Sequence, residues 1–127
     1  MIVPALLAAG LLLAYLAFLV SRNAAPGWIL PALGAAGLTL WSLLAITRGG
    51  PFGFWVEHTR NAWGVQIWID LLLAIAVALT ALVPAARAEG MRVVPWLLLV
   101  LATGSIGVCA MAARLSWLRA RRAAQPA

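Results

Sequence analysis

The chain has 127 residues, the length of one domain, of which 65% are hydrophobic and only 9% charged. A soluble domain of this size must cover its surface with polar groups, so this composition excludes a soluble enzyme, a nucleic-acid-binding domain and a disordered linker. It describes an integral membrane protein whose +6 charge comes from nine arginines and no lysine, spaced between apolar runs as anchors toward lipid phosphate are.

The rare residues narrow the chemistry. Without lysine there is no amine for a Schiff base. A single cysteine, Cys109, excludes an intrachain disulfide and any multi-cysteine metal centre, and a single histidine, His58, excludes a bis-histidine haem. No cofactor, no metal and no catalytic residue is predicted, because no nucleophile–base pair or metal constellation is present.

Four apolar runs reach the roughly 20 residues that cross a hydrocarbon core of about 30 Å as a helix. The first, 2–20, carries no charge and lacks the basic start of a signal peptide, so it is predicted to be a retained helix. Pro26-Gly27 then breaks the chain. The second run, 28–47, opens on Trp28, holds Pro31 in its first turn and presents a small face at Gly34-Ala35-Ala36-Gly37.

Gly49-Gly50-Pro51 ends that run and starts a longer connection, 48–64, rich in glycine and aromatics. It is predicted to lie along the membrane interface, with a short helix over 57–63. Its polar cluster, Glu57, His58, Arg60 and Asn61, is a candidate for headgroup binding or for titration near neutral pH. The alternative is a solvated loop with a Glu57–Arg60 pair. One histidine beside one glutamate is not a zinc site, which takes at least three protein ligands.

The third run, 65–83, contains Asp70 and is closed by Pro84. An aspartate near a helix centre costs roughly 2.5–3.5 kcal/mol on insertion scales, so it requires a reason. Gln66 lies one turn earlier on the same face, and Arg48 and Arg114 fall at a similar depth. Asp70, Gln66, Arg48 and Arg114 therefore form the candidate intramembrane polar site. Asp70 is either structural, paired with Arg48, Arg60 or Arg114, or a protonatable group on a transport path. The rest of the run offers a path only Thr80.

The fourth run, 93–113, begins with Pro95-Trp96 and holds a second small face, Gly104-Ser105-Ile106-Gly107. Gly34, Gly37, Gly104, Ser105 and Gly107 are the candidate helix-packing residues, with Thr103 and Ser105 placed to hydrogen-bond between helices. Cys109 reads as a small buried residue. A basic tail, 114–127, interleaves Leu115, Trp117 and Leu118 with arginines, as a helix end entering headgroups does.

The predicted architecture is all-α: one transmembrane domain over 1–127, a four-helix bundle of two antiparallel hairpins. Four spans put both termini on one side, with Arg48, Arg60, Arg114, Arg119, Arg121 and Arg122, and leave Arg22, Arg87 and Arg92 on the other. The positive-inside rule then assigns both termini to the cytoplasm.

Ile69-Asp70-Leu71-Leu72 opening the third helix, the connection Ala86-Arg87-Ala88-Glu89-Gly90-Met91-Arg92, and Leu101-Ala102-Thr103-Gly104-Ser105-Ile106-Gly107 in the fourth carry a family pattern. Over residues 69–114 the chain resembles small bacterial four-helix integral membrane proteins that form a domain of unknown function. The resemblance implies four helices and a multi-pass protein of the bacterial inner membrane, and no activity. The expected function is a non-enzymatic accessory or assembly subunit acting through helix packing, with the lipid bilayer and a membrane protein or a second copy as partners, and no nucleic acid. The alternatives are a small oligomeric proton-coupled carrier using Asp70, or a membrane subunit that binds a lipid or a lipophilic cofactor.

Overall fold

Inside a bilayer the backbone must satisfy its own N–H and C=O groups, and long runs of Leu, Ala, Val and Ile do so as helices. The computed structural model describes residues 2–21 and 27–125, so Arg22 and Pro26 lie outside the described residues. It contains six helices there: α1 (Ile2–Ser21), α2 (Ile29–Gly49), α3 (Gly53–Thr59), α4 (Ala62–Ala88), α5 (Val93–Thr103) and α6 (Ser105–Ala123). Three of them, α1, α2 and α4, are long and apolar enough to cross a membrane.

The four-helix bundle is therefore corrected, and the correction centres on one glycine. Gly104 has φ +62 and ψ −125, a backbone conformation open to glycine and strained for a residue with a Cβ. Its N–H bonds to Val100 O at 2.6 Å and ends α5. With 11 residues, α5 is about 16 Å long, half of a hydrocarbon core. The chain then turns back. A Cβ on Gly107 would lie 2.6 Å from Val100 Cα, so α6 runs against the backbone of α5, and only a residue without a side chain fits there. The run 93–113 is a bent helical hairpin and not a span.

Because of that turn, the end of α6 returns to the level of the α4–α5 connection. Arg122 Nη1 lies 3.0 Å and Arg119 Nε 3.7 Å from the Glu89 carboxylate. The arginine tail therefore shares an end of the molecule with Arg87 and Arg92. This overturns the expectation that it lies opposite them, and with it the argument that put both termini together.

The other boundaries move less. Pro84 does not close the third run but lies inside α4, which continues to Ala88. The interfacial helix forms over Gly53–Thr59 rather than 57–63, and Asn61 caps α4 by accepting from Gly64 N at 2.9 Å.

α6 is the hub. It packs against α2, α4 and α5, while the backbones of α2 and α4 do not approach each other closely. Its buried residues, Gly107, Met111 and Leu115, recur every four positions and so form one stripe. Met111 joins Ala86 and Val93 in the core, surrounded by Leu79, Leu82, Val83, Met91, Trp96 and Leu97. α1 packs against none of the other described helices and has no buried residue.

Candidate functional site

The polar residue in an apolar span is the natural start. α4 turns Leu79, Leu82, Val83 and Ala86 toward the core, Ile75 toward Gly104 and Trp68 toward α3. At about 100° per residue, Gln66, Asp70, Leu73 and Val77 fall on the opposite side. Leu73 and Val77 are 61% and 71% exposed, and Gln66 and Asp70 are exposed as well. Asp70 makes no hydrogen bond and no ion pair among the described residues; the ion pairs there join Arg60 to Glu57, and Arg119 and Arg122 to Glu89.

The four residues of the predicted polar site are thus not assembled. Gln66 and Asp70 share the outer face of α4. Arg48 is exposed in the last turn of α2, whose backbone does not approach that of α4 closely. Arg114 lies at the middle of α6, over Trp117, its Cζ 4.6 Å from the ring centroid.

The interfacial cluster is assembled, and its groups bond locally. α3 folds back on the first turns of α4. Phe54 and His58 approach Trp68 with ring centroids 6.1 and 5.1 Å away, the imidazole edge-on. His58 Nδ1 donates to Phe54 O at 2.5 Å, and Arg60 pairs with Glu57 at 3.2 Å, both side chains 63% exposed. Asn61 is the cap of α4. Gly64 makes the close approach possible, since a Cβ there would lie 2.5 Å from Glu57 O. Among the described residues no group of three or more His, Cys, Asp or Glu side chains could hold a metal ion.

The small faces act unequally. Gly34 faces α6, with Cys109 Sγ 3.7 Å from where its Cβ would be, whereas Gly37 has nothing within 4 Å. Gly104 and Gly107 make the α5–α6 turn. Ser105 is the first residue of α6 and half-buried. Thr103 does not reach another helix: its hydroxyl donates to Leu99 O, one turn back, at 2.7 Å, as Thr39 and Thr80 do within α2 and α4.

Sequence reasoning missed two features. One is the seating of Glu89, 13% exposed, between Arg119 and Arg122. The other is Trp117, whose ring also carries Arg121, its Cζ 4.7 Å from the centroid. The spacing Arg114, Trp117, Arg121 is i, i+3, i+7 on one helix face, a signal that was available.

Together these elements define an all-helical chain with the makeup of a multi-pass membrane protein. No family model, no curated protein and no solved structure matches it.

Proposed function

We propose that this protein is a non-enzymatic accessory subunit of a bacterial inner membrane, which binds a membrane-protein partner through the outer face of α4. The observation that carries this reading is Asp70: a carboxylate exposed on an apolar helix, with no partner among the described residues. Left against lipid it costs free energy that a hydrogen-bond donor or cation on a neighbouring helix would recover. Gln66, one turn away, adds a second polar contact, and Leu73 and Val77 supply apolar area around it. An oligomeric carrier built on Asp70 would place its path between copies of the chain, since the carboxylate faces outward from α6.

The arginine distribution supports an orientation. Arg87, Arg92, Arg114, Arg119, Arg121 and Arg122 stand at the end formed by the α4–α5 turn and the close of α6, against Arg48 and Arg60 at the α3 end. Basic residues collect on the cytoplasmic side, so the C-terminus is cytoplasmic and α3 lies on the opposite face. Three spans put the N-terminus with α3.

The test places a photoreactive residue at Val77 on the Asp70 face and another at Leu79 on the core face, in cells. Val77 should crosslink one membrane protein in stoichiometric yield, and Leu79 should not. Asp70→Leu should lower that yield by about 3- to 30-fold, the range of one interhelical polar contact. Equal labelling from both positions, or a yield indifferent to Asp70→Leu, would refute the reading.

A further inference from the structure

The arginine-rich end of the molecule holds more cation than the described carboxylates use. Glu89 is the acid seated there, and it is held by Arg119 and Arg122. Arg87, Arg92, Arg114 and Arg121 have no carboxylate partner among the described residues and are exposed. Two of these four are also positioned. The Trp117 indole carries the Arg114 guanidinium at 4.6 Å and the Arg121 guanidinium at 4.7 Å, which keeps both cations on one helix face two turns apart. A guanidinium over a ring face keeps the N–H donors of its own plane directed outward, free for two-pronged bonding to a phosphate. An open cavity of about 290 Å³ lined by Glu89, Leu118, Arg121, Arg122 and Gln125 adjoins Arg121.

The apolar surface that starts from the same end selects the ligand. α5 leaves the same end and descends toward Gly104 with Val94, Leu98 and Leu101 68%, 62% and 85% exposed. Cations above an apolar wall suit an amphiphile, with phosphate at the top and acyl chain along the helix. A free phosphate or a nucleic acid would use the upper half alone. Trp117 is of the residue type that favours headgroup level.

We propose that the Arg114–Trp117–Arg121 face of α6 is a binding site for the phosphate headgroup of acidic phospholipids in the leaflet at that end. The site is separate from the partner face of α4 and depends only on the chain lying in a bilayer. Near a surface each added arginine is worth on the order of a five-fold preference for anionic lipid.

The full chain is reconstituted in phosphatidylcholine vesicles containing phosphatidylglycerol, and the lipid held at its surface is read with spin-labelled versions of both lipids. The wild type should hold phosphatidylglycerol several-fold over phosphatidylcholine, and added salt should weaken the preference by screening. Arg114→Gln with Arg121→Gln should bring the preference close to one. Trp117→Leu should lower it with the charge unchanged, and Trp117→Phe should restore part of it. Arg48→Gln, at the other end, and Asp70→Leu should leave it intact, which keeps this test independent of the partner reading. An unchanged preference in the double variant, or a wild-type preference insensitive to salt, overturns the proposal. So does displacement of the lipid by inorganic phosphate at matched charge, which would make the site one for the free ion. Should the double variant fail to fold, the salt response and Trp117→Leu still decide.

Discussion

At the scale of single residues, two glycines from matching small-residue motifs do different work. A methyl group on Gly107 would lie 2.6 and 2.7 Å from Val100 Cα and N, backbone atoms that cannot step aside, while one on Gly37 would meet nothing within 4 Å. Gly107→Ala should therefore destabilise the folded chain by about 1–3 kcal/mol, the usual cost of overpacking. Gly37→Ala should be neutral or slightly stabilising, since alanine is the better helix former. Reversible unfolding in mixed micelles, followed by circular dichroism, checks both; equal effects would show that α5 and α6 do not pack as closely as described. Both motifs were legible in the sequence, but the backbone each one meets was not, because a spacing of small residues names a face and not its neighbour. Asp70 was legible for the opposite reason. A charge inside an apolar run is conspicuous wherever it points, and only the arrangement of α6 and α3 on the other side of α4 shows that it points outward.

At the scale of elements, α6 is the least expected and the most consequential. Its arginines and its place late in the sequence suggested a span running out into a tail, yet it is the helix that α2, α4 and α5 share. Glu89 ties its last turns to the α4–α5 connection through Arg119 and Arg122, whose side chains are 55% and 66% exposed. Pairs this open to solvent contribute roughly 0.2–1 kcal/mol each. Glu89→Gln should leave the fold intact and speed amide hydrogen exchange in the final two turns of α6 by about 2- to 5-fold. Arg60→Gln, which breaks the exposed Glu57 pair at the other end, should leave α6 exchange unchanged. An equal response to both changes would remove the assigned role of Glu89. The α3 segment teaches a related lesson. Its aromatic and glycine content marked an interfacial helix, but its start was set by Phe54 and His58 packing on Trp68, a contact no local pattern contains.

At the scale of the whole molecule, the turn at Gly104 brings the close of α6 to the end that holds the α4–α5 connection, and the orientation proposed above follows from it. A reporter that fluoresces only in the cytoplasm should light up when fused after residue 125. In a Cys109→Ala background, Glu57→Cys should react with a membrane-impermeant maleimide from outside intact cells. The reverse pattern, or both ends on one side, would sink the orientation proposed above. That outcome would leave the packing of α4, α5 and α6 untouched, since the Glu89 pairs place the end of α6 beside the α4–α5 turn whichever way the molecule faces.

The sequence by itself determined that the chain is helical and built for lipid, because hydropathy and length are sums over residues and need no knowledge of neighbours. It likewise marked where charge is scarce and where it is out of place. The tertiary structure decided that the fourth apolar run is a hairpin, that the arginines gather at one end, and that Asp70 faces away from the bundle. The physical reason is that each of these turns on a single local geometry, one positive φ at Gly104 and one backbone approach at Gly107, which average hydropathy over a run does not register. What began as a composition too apolar for water became a molecule with two distinct outer surfaces, one carrying an unpaired carboxylate and the other a set of stacked guanidiniums.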